Sequence, residues 1–264
     1  MERKTPLPPS SGGVLIEGKR GKLLGHTYLP GGEYPKPVVL ICHGIPGKER
    51  LFDFAVALRD ASFCTLSFHY SGSWGSDGDY SVSHCFEDCL SALEYIRKNE
   101  NGWFDLNNVF MVGHSMGGLM TARTAAQCAL VKAGVILVPM DFKPITQEAL
   151  GLCEPRYGAF LDEAFLWLKG IDRARMYEDV TANAAAMDLV SYAAALADKP
   201  ILTVTGTLDT VLPREDHVDR LNAAIAACGK GKLVSKVYET DHPFNMHRDE
   251  IRRDVIDFLL ANVD

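Results

Sequence analysis

The sequence lacks an apolar run of the roughly 18 to 20 residues that a bilayer-spanning helix requires. It begins MERKTPLPPSSGG, which has charge, proline, serine and glycine where a secretory signal peptide has an apolar core. These two absences predict a cytoplasmic protein that makes no membrane contact.

The sequence also lacks an excess of positive charge. Its 27 lysine and arginine residues are scattered among 34 acidic residues, and the formal net charge is −7. Nucleic-acid binding requires a concentrated basic face, so nucleic acid is excluded as an expected partner. With 264 residues, 47% of them hydrophobic, the chain is long enough to bury a large core. We expect one domain over residues 1–264.

Cysteine is present, but its spacing does not indicate a disulfide framework. The seven cysteines are odd in number and mostly lie inside apolar runs, which favours buried thiols in a reducing compartment over disulfides. Cys85 and Cys89 are four residues apart, as two metal ligands on one helix face would be, but no second pair of ligand spacing follows. No metal site is expected.

What the sequence does contain is a regular alternation of apolar strands and amphipathic helices. PVVLICHG at 37–44 is a β-branched run typical of a strand buried on both faces, and RLFDFAVALRDA at 50–61 has helical spacing. The alternation continues to residue 139 and resumes at residue 200, which predicts a mostly parallel, doubly wound α/β sheet. GGVLIEG and KLLGHTYLP, around a KRG turn, predict an antiparallel hairpin at its edge.

The alternation is interrupted for about 60 residues between Pro139 and Lys199. This segment carries two helical patterns, LDEAFLWLKGI at 161–171 and TANAAAMDLVSYAAALA at 181–197. It follows a central strand, so it is expected to lie over the carboxyl ends of the strands. We therefore predict a helical lid insertion at about 140–198.

The stretch VFMVGHSMGG, residues 109–118, contains the strongest chemical motif. Glycines two residues before and two after Ser115 allow the backbone to turn sharply from a strand into a helix. That turn would present the serine at a helix N-terminus, where negative charge is favoured. By itself the pentapeptide is also compatible with a structural serine in a tight turn, so other residues must decide.

A nucleophilic serine needs a base and a group that orients the base. Asp209 in TGTLDTVLP and His242 in YETDHPFN each follow a predicted strand, and the chain order Ser115, Asp209, His242 is the one expected for this sheet. Asp141, just after the strand that follows the serine, is the alternative acid. His247, at the start of the last helix, is the weaker alternative base.

The loop HGIPG, residues 43–47, follows the first central strand and is predicted to fold close to the serine. Attack on a carbonyl creates an oxyanion, which two backbone N–H groups would stabilise. We assign these donors to Ile45 and Met116. His43 and His114, which neighbour glycines in the two loops, are more typical of local hydrogen bonding than of catalysis.

These motifs resemble those of the α/β-hydrolases over nearly the whole chain. HGIPG resembles the oxyanion loop of that family, GHSMGG its nucleophile elbow, LDTVLP its acid loop and DHPF its histidine loop. The stretch HYSGSWGSDGDYSVSHCFEDCLSALEYI resembles, more narrowly, prolyl-oligopeptidase-like (S9-type) hydrolases and bacterial cinnamoyl or feruloyl esterases.

The resemblance implies a serine esterase that uses no metal and no organic cofactor. Its expected partner is a small-molecule ester with a small, medium or aromatic acyl group such as a hydroxycinnamate, and a homodimer is left open. An S9-like peptidase and a non-catalytic ligand-binding homologue are the alternatives. The residues expected to contact substrate are Tyr70, Trp74, His114, Asp141, Tyr157, Phe160 and Trp167.

Overall fold

The computed structural model describes residues 7–264. The expectation about a signal peptide rests in part on residues 1–6, which lie outside the described residues. Within the described residues, eight strands form one sheet in the order β1-β2-β4-β3-β5-β6-β7-β8. They are β1 (Ser10–Gly18), β2 (Gly21–Leu29), β3 (Lys36–Cys42), β4 (Cys64–Phe68), β5 (Phe104–His114), β6 (Ala133–Leu137), β7 (Ile201–Gly206) and β8 (Leu233–Tyr238).

The predicted edge hairpin and the mostly parallel sheet are both confirmed. Strands β1 and β2 pair antiparallel from Ser10 opposite Leu29 to Gly18 opposite Gly21, and β2 pairs antiparallel with β4. The pairs from β4 through β8 are parallel. The carboxyl ends of β3 to β8 therefore meet at one edge, which is where polar loops converge in sheets of this type.

Helices cover both faces of the sheet, as expected when strand and helix alternate. The first four along the chain are α1 (Phe52–Asp60), α2 (Val82–Lys98), α3 (Met116–Gln127) and α4 (Lys143–Ala149). The insertion continues with α5 (Gly158–Phe165), α6 (Arg173–Ala182), α7 (Ala184–Met187), a 3₁₀ helix (Leu189–Tyr192) and α8 (Ala193–Leu196), and the chain closes with α9 (Val218–Ala227) and α10 (Arg248–Leu260).

Two apolar clusters hold these layers together. Leu58 of α1 and Val255 of α10 are buried with Val39 and Val112 on one face of the sheet. The other face packs α2, α3 and the insertion, with Ile96 and Leu119 in its core. Every residue of β3 from Val38 to Cys42 is buried, which explains why this strand reads as a continuous apolar run and not as an alternation.

The insertion is helical, but its helices differ from the sequence pattern. The run 181–197 is broken because Asp188 accepts a hydrogen bond from the amide of Val190 and starts a 3₁₀ turn. The run 161–171 ends as helix at Phe165, and Leu168 instead forms an antiparallel bridge with Ser73. The bridge and a bond from Lys169 N to Gly72 O fasten the insertion to the loop after β4.

None of the helices described for residues 7–264 has both the length and the apolar character needed to cross a membrane.

Candidate active site

Ser115 lies at the junction of β5 and α3 in a strained backbone conformation. Its φ of 58° and ψ of −122° are unusual for a residue with a side chain. The turn is held from both sides, because the Ser115 amide donates to Leu137 O at 2.9 Å while its carbonyl accepts from the amides of Gly118 and Met140. The β5 strand and the α3 helix thus present the serine at the carboxyl edge of the sheet.

Two glycines make this turn possible. A Cβ on Gly113 would lie 2.0 Å from the carbonyl oxygen of Gly117, and a Cβ on Gly117 would lie 2.0 Å from that of Cys42. Backbone atoms cannot move aside as a flexible side chain can, so a larger residue at either position would distort the turn. The spacing G-x-S-x-G therefore has a steric cause here.

Asp209 and His242 meet in the loops that follow β7 and β8. Nδ1 of His242 lies 2.6 Å from Oδ2 of Asp209, whose side chain is fully buried. The other carboxylate oxygen accepts bonds from the amides of Val211 and Leu212, each at 2.9 Å. These two bonds fix the carboxylate, which in turn fixes the orientation of the imidazole.

Ser115 and His242 line the same cleft, which has a volume of about 170 Å³. Within residues 7–264 the serine hydroxyl makes no hydrogen bond to another protein group, and Ser115 and His242 both border the cleft. The hydrogen bond between a catalytic serine and its histidine is often long before substrate binds. We call this the Ser115 cleft; its wall also includes Gly44, Ile45, Pro46, Gly47, Lys48, Glu49, His114, Phe160, Glu163, Ala164 and Val211.

The loop after β3 packs directly against the serine. A Cβ on Gly44 would lie 2.8 Å from Cβ of Ser115, so only glycine permits this approach. In the part of the chain that the structure describes, the amides of Ile45 and Met116 donate no hydrogen bond to a protein acceptor. Met116 is the first residue of α3, where an amide has no partner within the helix.

The acidic alternative, Asp141, is engaged elsewhere. Its side chain is fully buried and forms an ion pair with Arg220, and it also accepts a bond from the amide of Lys143. Burial raises the pKa of this carboxyl to about 6. Among the two predicted acids, Asp209 is therefore the one that contacts His242.

The alternative base, His247, immediately precedes α10 and contacts Glu250, which lies three residues later in the first turn of that helix. Its ring lies beside Tyr238, with ring centroids 5.6 Å apart. His247 is not among the residues that line the Ser115 cleft.

The residues predicted to contact substrate are dispersed. Phe160 and His114 line the Ser115 cleft. Tyr70 is buried behind the loop after β3, where its hydroxyl donates to His43 O, and Tyr157 is buried against His217. Trp74 and Trp167 stack on each other, with centroids 5.4 Å apart, outside the cleft.

Sequence reasoning missed several residues of the cleft wall. Lys48 and Glu49 follow HGIPG directly, and Val211 lies two residues after Asp209, so proximity to a motif was the available signal. Ala164 and Glu163 belong to α5 and carried no such signal. Tyr80, also missed, donates its hydroxyl to Sδ of Met116 at 2.8 Å and so supports the start of α3.

Residues 7–264 contain no cluster of three or more histidine, cysteine, aspartate or glutamate side chains placed to hold a metal ion. Cys85 and Cys89 are both buried in α2 as free thiols. Burial raises their pKa values well above the usual range, which disfavours the thiolate that metals bind.

Comparison with known proteins identifies a family relationship over most of the chain. A model of the alpha/beta hydrolase family matches residues 38–254. An uncharacterized 31.7 kDa protein in the traX-finO intergenic region of Escherichia coli is 31% identical over 109 residues. That alignment covers 39% of this chain and 37% of the relative, so the chain spans little more than a third of the curated relative it matches.

Solved structures extend the similarity in fold to almost the whole chain. The Pyrococcus furiosus esterase Pf2001 is similar with a TM-score of 0.70 and 17% identity, over 96% of this chain and 93% of that one. Est1E from Butyrivibrio proteoclasticus, solved with ferulic acid bound, has a TM-score of 0.72 and 22% identity, over 94% and 98%. An acylaminoacyl peptidase from Pyrococcus horikoshii has a TM-score of 0.73 and 16% identity, over 97% of this chain and 42% of that one. At these identities the likeness establishes the fold alone.

Proposed function

We propose that this chain, which belongs to the alpha/beta hydrolase family, is a serine esterase that hydrolyses carboxylic esters through an acyl-serine intermediate. One observation carries the proposal: His242 Nδ1 lies 2.6 Å from the buried Asp209 carboxylate, at the rim of the cleft that Ser115 borders. A structural serine in a tight turn does not require a histidine oriented by a carboxylate in the same cleft.

The proposed reaction begins when Ser115 Oγ attacks the ester carbonyl carbon and its proton passes to Nε2 of His242. The amides of Ile45 and Met116 donate to the oxyanion, a stabilisation of a few kcal/mol for each donor. The tetrahedral intermediate collapses, the ester C–O bond breaks, and the alcohol leaves with the proton from His242. Water then attacks the acyl-serine by the same route, which releases the acid and restores Ser115.

The size of the Ser115 cleft supports short acyl groups. Its volume of about 170 Å³ is below the roughly 300 Å³ at which drug-sized pockets begin. The apolar part of the wall includes Phe160, Ala164 and Val211, which suits an aliphatic acyl chain. A hydroxycinnamoyl group requires more room, so we propose short aliphatic esters as the better substrates and hydroxycinnamates as the alternative.

The test is covalent labelling of Ser115 together with an ester panel. A fluorophosphonate should transfer one phosphonyl group to the wild-type protein, with loss of fluoride, and none to Ser115→Ala. Intact-protein mass spectrometry measures the added mass. With p-nitrophenyl acetate, Ser115→Ala should lose about 10³-fold or more in kcat. Full activity in Ser115→Ala would overturn the serine mechanism.

The substrate class is tested on the same preparation. We expect kcat/KM for p-nitrophenyl acetate to exceed that for methyl ferulate, and the opposite order would favour the hydroxycinnamate alternative. A dipeptide amide hydrolysed faster than any ester would instead favour an S9-like peptidase. Failure of Ser115 to label with the fluorophosphonate, together with no turnover of any of these substrates, would favour a non-catalytic ligand-binding homologue.

A further inference from the structure

A second cavity borders the segment after β3 at His43 and Arg50. Its volume is about 360 Å³, and Ser115 and His242 are not part of its wall. We call it the Arg50 pocket; the residues of its wall used below are His43, Arg50, Phe52, His69 and Trp74. It is larger than the Ser115 cleft, and its volume is within the range typical of small-molecule sites.

Arg50 differs from the charged residues around it because it has no carboxylate partner. Lys48 is paired with Glu163, while Glu49 and Asp53 are both paired with Arg248. Within residues 7–264 no carboxylate lies within ion-pair distance of the Arg50 guanidinium. The neighbouring acidic side chains are thus already neutralised, and the positive charge of Arg50 remains available to a ligand.

The guanidinium is also held in a fixed orientation. Its Nε donates to Gly47 O at 3.2 Å, and its Cζ lies 4.3 Å from the ring centroid of Trp74. The Phe52 ring lies 5.9 Å away on the same wall. The two terminal nitrogens make no protein hydrogen bond among the described residues, so a planar pair of donors is free to bind a carboxylate in bidentate fashion.

The two histidines of the pocket add no positive charge at neutral pH. Burial lowers the pKa of His43 to about 3 and that of His69 to about 4. His43 Nδ1 lies 2.7 Å from Gly44 O and therefore carries the proton, which leaves Nε2 to accept from His69 Nδ1 at 3.4 Å. The uncharged rings provide flat surfaces and hydrogen-bonding groups, and charge recognition rests on Arg50.

We propose that the Arg50 pocket binds a small aromatic carboxylate, with the carboxylate on the Arg50 guanidinium and the aromatic ring against Phe52 and the neutral imidazole of His69. A free guanidinium at one end and aromatic side chains beside it match the two halves of such a ligand. This binding site is separate from the Ser115 cleft, so it does not depend on the proposed esterase activity.

The test is isothermal titration calorimetry, in which the full chain is titrated with trans-cinnamate and, separately, with its neutral analogue cinnamamide. Cinnamate should bind, and cinnamamide should bind at least about tenfold more weakly because it cannot form the charged pair. Arg50→Gln should weaken cinnamate binding by a similar factor and leave the weak binding of cinnamamide unchanged. Phe52→Ala replaces a half-exposed side chain and should weaken the binding of both ligands.

Two controls distinguish the Arg50 pocket from the Ser115 cleft. Lys48→Gln removes the neighbouring cation, which borders the cleft and not the pocket, and should leave cinnamate affinity unchanged. Protein blocked at Ser115 by phenylmethylsulfonyl fluoride should still bind cinnamate. Loss of binding in either control, equal affinity for cinnamate and cinnamamide, or full affinity in Arg50→Gln would overturn the proposal. The comparison of the two ligands needs no variant, so a failure of Arg50→Gln to fold leaves the test intact.

Discussion

Nε2 of His114 lies 2.9 Å from the backbone carbonyl oxygen of His242. The two rings are tilted against each other with centroids 4.8 Å apart. Burial lowers the pKa of His114 to about 3, so the ring is neutral and Nε2–H donates to the carbonyl. The residue that precedes the proposed nucleophile therefore holds the backbone of the proposed base, across 128 positions of sequence.

We predict from this contact that His114 is a positioning residue for His242. His114→Gln keeps a side-chain N–H donor and should retain most of kcat, whereas His114→Phe fills the space without a donor and should lose about 10- to 100-fold. KM for p-nitrophenyl acetate should change little in both variants, because the effect is on the geometry of the base. Equal kcat losses in the two variants, measured at equal folded fraction, would contradict this role.

The pairing of Asp209 with His242 gives a second prediction. Asp209→Asn replaces the carboxylate by a neutral amide that cannot stabilise the imidazolium of His242, so kcat should fall by about 10³-fold or more. Asp141→Asn is the matched control, since it removes the other predicted acid and breaks its ion pair with Arg220. It should lower the melting temperature but keep kcat within about threefold. Ester hydrolysis and thermal unfolding on both variants provide the measurement. A larger kcat loss in the Asp141 variant would reverse the assignment.

The sequence was sufficient to predict the sheet, because the hydrophobic periodicity and the alternation of strand and helix patterns along the chain indicate it directly. Both the buried run of β3 and the G-x-S-x-G turn of Ser115 can be read in the residue types. Burial on both faces makes the strand continuously apolar, and the close approach of Gly117 to Cys42 O requires a glycine. The meeting of Asp209 with His242 was predictable for a different reason. Parallel strands place their carboxyl ends at one edge, so loops distant in sequence converge there.

The insertion was predicted only as helical, since its details depend on contacts that no local pattern encodes. The helical run 161–171 stops at Phe165 because Leu168 pairs with Ser73 from the loop after β4. Trp167 is drawn to Trp74 by the same attachment and lies outside the Ser115 cleft. Tertiary contacts of this kind override helix propensity, and they decide which aromatic residues face the cleft.

Gly44 gives a third prediction, which concerns the loop beside the nucleophile. In Gly44→Ala the new Cβ would lie 2.8 Å from Cβ of Ser115 and 3.2 Å from His114 O. The loop must shift away from the serine, and the proposed donor Ile45 shifts with it, so kcat should fall by about 10- to 100-fold. The matched control is Gly12→Ala, where nothing lies within 4 Å of the added atom. It should leave kcat unchanged, and equal behaviour of the two variants in an ester assay would refute the steric explanation.

A buried histidine of the insertion interface predicts how stability depends on pH. His217 is 1% exposed; its Nδ1 accepts from the Asp141 amide at 3.0 Å, and its Nε2 lies 3.1 Å from the Tyr157 hydroxyl. Burial lowers its pKa to about 4, below the value of about 6.5 in an unfolded chain. The unfolded state therefore binds the proton first as the pH falls. The stability that this neutral ring contributes is present above pH 6.5 and is lost between about pH 6.5 and pH 4.

Substitutions that cannot titrate should abolish this part of the pH dependence. His217→Asn and His217→Gln should each destabilise the protein at about pH 7.5, but by about 2 kcal/mol less at about pH 4.5, because only the wild type is penalised for a neutral buried imidazole in acid. The Asp141 carboxyl, whose pKa is raised to about 6, titrates in wild type and variants alike and cancels in the comparison. Urea unfolding at the two pH values measures the difference. The two variants keep different hydrogen bonds, so the same decrease in destabilisation at low pH in both would identify the titration of His217 as the cause. A destabilisation that is equal at both pH values would refute this explanation.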